Sequence, residues 1–407
     1  MNTFKKLRNA ALFLGMGALI LTSCNDDDDE DPPTNNGSGD GQSILITSNT
    51  TWSADSVYIL DGRVTVVDGV TLTIEPGTII KGRSGTGPNA TALLVARGGT
   101  LIAEGEPDMP IIFTSAADQI SPEDVAAGNF ESPNLAPTVN GLWGGVIVLG
   151  RAPISASNDN GDVTEVQIEG IPTSDPNGLY GGNEPMDNSG RLRYVSIRHG
   201  GTNIGQGNEI NGLTLGGVGD ETIIEHIEIV ANQDDGVEWF GGTVDVSNVV
   251  VWNCGDDGLD TDQSWDGTVD NFVVIGVTGH AFELDGPEGS YEAAHMITNG
   301  SVKMTFDGRT TEDIINVDDN SMVDLSNIYF TDIVSGQQIS EDDDLPFSQV
   351  PDVTFSNILL DVDANDLGDY VNDATIPTGI SAGTTPQADV SVFDWTWASQ
   401  AGGLSGL

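Results

Sequence analysis

The sequence predicts an all-β chain, a right-handed single-stranded parallel β-helix with long loop insertions, and three observations predict it. Seven segments share one pattern, a polar residue followed by apolar-x-apolar. They start at Tyr194, His226, Asn248, Asn271, Asn299, Asn327 and Asn357, at spacings of 32, 22, 23, 28, 28 and 30 residues. A base repeat of roughly 22 with insertions fits one coil of three short strands. Five of the seven leading residues are Asn, and one Asn per coil stacks at the ~4.8 Å strand spacing and hydrogen-bonds along its column. The 407 residues include 52 Gly, a composition unsuited to a helix bundle.

In chain order, Met1 to Cys24 has a basic start (Lys5, Lys6, Arg8), a short apolar core and the ending Leu21-Thr22-Ser23-Cys24. The apolar run is too short to span a bilayer comfortably and has the form of an export signal over residues 1–23. Its ending resembles a bacterial lipobox, which implies acylation of Cys24 and anchoring in an outer membrane through a lipid carrying palmitate-type chains. The acidic run Asn25 to Asp31 resembles the Bacteroidota tag that sends lipoproteins to the exterior face. Residues 24–42 then form tag and tether, too polar to order themselves. Residues 43–407 are expected to form one β-helix domain.

Within that domain, Val64 to Val67, Val70 to Ile74, Thr78 to Ile80, Leu93 to Val95, Leu101 to Ile102, Ile111 to Phe113 and Val146 to Val148 read as short strands broken by Asp68-Gly69 and Pro76-Gly77. Polar excursions near 116–140, 156–190 and 334–349 read as projecting loops, with helix-start chemistry at Ser121-Pro122-Glu123-Asp124. In the seven repeated segments the apolar pair points inward and the residue between them points to solvent.

Charge narrows function. With 63 acidic residues against 13 Lys and Arg, the net charge is −50, so no basic surface exists for nucleic acid. After acylation Cys254 is the remaining cysteine, so no intrachain disulfide forms, and it reads as a buried small apolar residue.

Asp234 to Gly242, Cys254 to Asp260, Leu72 to Ile80, Leu142 to Gly145 and Phe393 to Trp397 together resemble a family of Bacteroidota cell-surface lipoproteins with a pectate-lyase-like β-helix. The likeness covers most of residues 50–400 and implies a fold and a location. It does not imply an activity.

The candidate chemistry lies where three coils stack. Asp235, Asp257 and His280 fall in one column and Glu238, Asp260 and Glu283 in another, each at spacings of 22 and 23, with Asp234 and Asp256 preceding the first. So many carboxylates a few ångströms apart cannot all ionise unaided: protons or a cation must sit among them. One reading is structural, with carboxylates satisfied by backbone N–H groups and by Ca²⁺ held on Asp235, Glu238, Asp257, Asp260 and Glu283. A second is catalytic: Asp256-Asp257 followed by Gly279-His280 is similar to the polygalacturonase arrangement, which would make Asp257 the acid and Asp235 or Asp256 the base beside His280. The Arg-x-Lys grip of that arrangement is missing, and Gly-His-Gly is altered to Gly279-His280-Ala281. A third is lyase chemistry with Lys303, Arg198 or Arg309 as base.

Arg198, Val230, Trp252, Ile275 and Lys303 share an outward column; Arg198, Trp252 and Lys303 could stack and grip a sugar ring, unless a loop covers them. Arg191, Arg193, Arg198 and His199 form either an anion grip or pairs with nearby carboxylates. Trp239, Phe240 and Trp265 read as sugar platforms or as loop packing. The function expected is a surface-exposed module binding glycan or another outer-membrane component; a polysaccharide hydrolase or lyase, and a spacer without small ligand, are the alternatives.

Overall fold

A computed structural model describes residues 43–204, 209–341 and 345–407. The signal, Cys24, and the tag and tether lie outside the described residues. Almost every element is a short parallel strand. One sheet stacks ten strands, from Ile44–Ile46 through Val146–Leu149, Val237–Phe240 and Leu259–Asp262 to Ile339–Glu341. A second holds fourteen, among them Gly190–Arg198, Ile223–Val230, Val246–Trp252, Thr268–Ile275, His295–Lys303, Val323–Thr331 and Val353–Leu360. Successive coils add one strand to each sheet, which is the parallel β-helix the repeat predicts.

The seven leading polar residues have a specific backbone task. Tyr194, His226, Asn248, Asn271, Asn299, Asn327 and Asn357 all adopt left-handed φ between 50° and 61° in mid-strand. Each bends its strand so that one long segment serves two faces. Gly190–Arg198 shows the bend directly: Gly190 to Arg193 pair with Thr100–Glu104, whereas Val195 to Ile197 pair with Ile111–Ser115. Asn tolerates this conformation better than most L-residues because its short side chain hydrogen-bonds locally. The carboxamides also ladder: Asn271 donates to Asn248 Oδ1 at 2.8 Å, Asn327 to Asn299 at 3.1 Å and Asn357 to Asn327 at 3.0 Å. Where coils use Tyr194 and His226 instead, the rings stack at 4.3 Å.

Inward positions fill the lumen. Trp239 stacks on Trp265 at 4.7 Å, and Phe282 contacts Phe272 and Phe330 edge-on at 5.5 and 5.6 Å. Both tryptophans are therefore packing residues, while Phe240 lies under the 153–180 loop against Tyr180. Gly300 sits where Phe272 needs room: a Cβ there would lie 2.0 Å from the Phe272 ring. The first loop contains the helix Pro122–Ala126, whose Ser121 and Asp124 form a reciprocal capping box. The third excursion is not a projecting loop throughout, because Ile339–Glu341 joins the ten-stranded sheet.

One flank departs from the solvent-facing expectation. Arg198, Val230, Trp252, Ile275 and Lys303 are in register as a column, but Arg198 is 1% exposed, Trp252 2% and Lys303 6%. The intervening positions Glu228, Val250 and Val273 are buried too. A C-terminal strap covers them. It runs back across the coils from Gln387, whose N–H reaches Ser301 Oγ (3.1 Å), past Asp389, whose N–H reaches Asn271 Oδ1 (2.7 Å), to Gln400 at Gly128 and Phe130. Phe393, Trp397, Ala398 and Leu404 pack on Val230, Val250, Trp252, Val273 and Ile275. Lys303 donates to the carbonyls of Gly403 and Ser405 at 2.7 and 2.6 Å, and the Arg198 guanidinium lies 5.1 Å from the Trp397 ring centroid. Assigning Arg198, Trp252 and Lys303 to a sugar platform is thus corrected: the aromatic flank is occupied by the chain's own residues.

Candidate carboxylate site

Strands Val237–Phe240, Leu259–Asp262 and Phe282–Leu284 pair in register, so Glu238, Asp260 and Glu283 form one column. Just upstream, the main chain repeats a second column. Gly236 N–H donates to the Asp257 carbonyl (3.0 Å) and Gly258 N–H to that of His280 (3.1 Å). Side chains reinforce it: Asp235 Oδ1 accepts the Asp257 N–H at 2.9 Å, and Asp257 Oδ1 accepts the His280 N–H. Gly279 keeps the space beside these carboxylates open, since a Cβ there would lie 2.3 Å from Asp257 Oδ1 and 2.4 Å from Asp256 Oδ1.

The stacking brings together three groups whose ligand atoms lie within 4.8 Å of one another: Asp234, Asp235 and Asp256; Asp235, Glu238 and Asp260; Asp257, His280 and Glu283. Asp235 belongs to two of them. The first two groups offer oxygen alone, the donor set that suits Ca²⁺; the third adds an imidazole and suits it less well. Asp235, Glu238, Asp257 and Asp260 are buried, Asp234 is half-buried and Asp256 is exposed at the rim.

Burial and mutual repulsion push most of these acids up. Burial, then neighbouring carboxylates, raise Asp234 to about 7 and Asp262 to about 8, and lift Asp235, Glu238 and Asp260 well above the ordinary carboxylate range. Asp257 is the exception. Burial opposes its charge, but hydrogen bonds from His280 and Glu283 and the His280 charge, 3.2 Å away, outweigh that and hold it low. Burial and the Asp257 hydrogen bond raise Glu283 to about 10. Asp257, the expected proton donor, is buried, accepts the His280 N–H and is held low in pKa, which speaks against that role.

The expected bases are elsewhere. Lys303 and Arg198 lie under the strap, and Arg309 donates to the carbonyls of Gly276 (2.9 Å) and Cys254 (2.6 Å). Arg191, Arg193 and Arg198 pair with Glu104, Glu225 and Glu228, the carboxylate-pairing alternative. Cys254 is fully buried, its thiol pushed up to about 12 by burial, which leaves it inert. Two members of the site escaped the sequence reading. Asn211, whose Nδ2 contacts Glu238, precedes Gly212 as Asp235 precedes Gly236, and that recurrence was the available signal. Asp262 ends the Leu259–Asp262 strand, opposite Phe240 on one side; on the other, Asp285 follows it at the same 23-residue spacing that sets Asp260 on Glu283, and that recurrence was the available signal.

Fold and site together define a parallel β-helix with a carboxylate-lined face. The family of pectate-lyase-like β-helix domains matches residues 44–128 and 131–400, and the chain belongs to that family. No curated protein and no solved structure matches the chain.

Proposed function

We propose that the protein is a cation-dependent polysaccharide-binding β-helix, held at the exterior of an outer membrane by acylated Cys24. The carrying observation is the pair of oxygen-only groups sharing Asp235, with no Lys or Arg engaged by any of their carboxylates among the described residues. Ca²⁺ there would be held by Asp234, Asp235, Glu238, Asp256 and Asp260, and it would supply positive charge to a surface of net −50 that otherwise repels acidic glycans. Family membership supports a polysaccharide-related role. Binding is favoured over cleavage because Asp257 is buried and low in pKa, and because Lys303, Arg198 and Arg309 are all engaged elsewhere. A hydrolase reading retains one supporting contact, Glu283, raised in pKa, beside Asp257, held low.

Glycan-array binding with Ca²⁺ and with EGTA tests the reading. Retention of acidic polysaccharide only with Ca²⁺, lost in Asp235→Asn, is expected; binding indifferent to both EGTA and that substitution overturns it. Degradation abolished by Asp257→Asn and His280→Ala would establish the hydrolase instead. Protease shaving of intact cells tests display. The pH signature is also distinct. Carboxyls raised in the fold stabilise it fully below their ordinary pKa near 4, and that contribution is lost as pH rises through 7 to 8 for Asp234 and Asp262. Melting temperature in EGTA should therefore fall over that window, and Ca²⁺ should reverse the fall.

A further inference from the structure

Beyond the strand that ends at Asp262 lies a lateral cavity of about 370 Å³ that is separate from the carboxylate columns. It is bounded by Pro153 and Ser155 on one side, by Asp162 and Thr164 of the neighbouring loop, and by Asn183 and Tyr291. That volume falls in the range of small-molecule sites, roughly 300–1,000 Å³.

The cavity has a fixed floor. Ser155 is buried; its N–H donates to the Gln263 carbonyl at 2.9 Å, and its Oγ accepts the Gly289 N–H at 3.1 Å. Gly289 is required for this closeness, because a Cβ would lie 2.8 Å from the Ala156 carbonyl oxygen. The Tyr291 carbonyl is held by Ser264 Oγ at 3.1 Å, and Ser290 Oγ donates to Asp162, tying the 288–291 segment to the hairpin Ala156–Asn158 and Gly161–Val163. Gln263 and Ser264, which anchor both sides, adopt successive left-handed φ of 56° and 57°. Such backbone persists where surrounding contacts over-determine it.

The lining chemistry is specific in kind. It combines one aromatic ring, a Pro face, three hydroxyls besides that of Tyr291, one carboxamide and one carboxylate, with no Lys or Arg. The hydroxyls of Thr164 and Tyr291 and the Asn183 carboxamide have no partner among the described residues. An aromatic residue among hydroxyl, amide and carboxylate residues is a lining that suits a pyranose, whose C–H face stacks while its hydroxyls donate and accept. Charge sets the subclass. Asp162 is the charged side chain of the lining, which holds no Lys or Arg, so an anionic sugar finds no opposite charge among the lining residues.

We propose that this cavity binds one neutral hexopyranose unit, a cation-independent subsite beside the cation-dependent one. It deepens the polysaccharide-binding reading by naming a neutral sugar as part of the polymer, and it rests on different residues.

The test is saturation-transfer NMR and calorimetry on the full domain with methyl glycosides of glucose, galactose and mannose, and with glucuronate and galacturonate. All are measured in Ca²⁺ and in EGTA. The expected result is binding of at least one neutral glycoside with Kd on the order of 1 mM, unchanged by EGTA and weakened at least tenfold by Tyr291→Ala. Thr164→Ala, at an exposed position, gives a second variant with an unaltered fold, and it should weaken binding severalfold. Absence of transfer from every neutral glycoside, affinity for uronates alone, or binding indifferent to both substitutions overturns the proposal. Loss of acidic-polymer binding in EGTA with neutral-sugar binding intact separates the two sites. Failure of the Ca²⁺ site alone would leave the neutral-sugar result standing.

Discussion

Glu228 Oε1 accepts the backbone N–H of Ala398 at 2.9 Å, joining a strand to the strap 170 residues downstream. Its other oxygen takes the Ser196 hydroxyl at 2.5 Å and faces Arg198 at 3.4 Å, with both charged groups sealed from solvent. Arg198 in turn donates to the Phe130 carbonyl, so one ion pair pins the strap and the first loop together.

Glu228→Ala should therefore destabilise the domain by about 3–5 kcal/mol, because it strands a buried guanidinium. Urea denaturation measures this. Replacing both members by Glu228→Leu and Arg198→Met should recover most of the loss, and a double variant no better than the single one would show that the pair is needed for more than mutual neutralisation.

Asn327→Ala should cost about 1–2 kcal/mol, since it removes two ladder bonds, with Asn299 and Asn357, at a position with φ of 53°. Asn327→Gly loses the same bonds but keeps the left-handed backbone without a Cβ. Equal melting temperatures for the two variants would mean the bend contributes nothing.

Gly300→Ala should destabilise by about 1–3 kcal/mol through overpacking against Phe272. The pair Gly300→Ala with Phe272→Leu should be more stable than Gly300→Ala alone, as denaturation midpoints would show.

His295 is enclosed near Thr261 (3.3 Å) and Trp265 (ring centroids 5.2 Å apart), and burial lowers its pKa to about 3. The unfolded chain takes up a proton near 6.5 and the fold does not. Its contribution is thus complete above pH 6.5 and falls as pH drops toward 3. At pH 5 this amounts to about 2 kcal/mol. His295→Phe should flatten the acid limb of stability against pH; an unchanged limb would assign it to other groups.

The repeated pattern made the coils legible because it records three constraints at once, lumen, ladder and bend, in four residues. The register of Glu238, Asp260 and Glu283 followed from spacing alone, since parallel in-register strands convert equal spacing into adjacency. What local pattern could not show was which outward column is covered. Alternation marks Trp252 as outward, and it is; the strap that buries it comes from 145 residues further on, at Trp397. The same holds for Asp257, whose ionisation depends on contacts with His280 and Glu283 rather than on its place in the column.

The strap also bears on biosynthesis. A stack of coils that touch only their neighbours can grow as it emerges, one turn at a time, at roughly 5–20 residues per second. Val230, Val250, Trp252, Val273 and Ile275 would meanwhile stand as an open greasy seam, because the residues that close it are translated after every coil they cover. The seam thus stays open until Phe393 to Leu404 emerge, and partial products arrested before Phe393 would be the ones that clump.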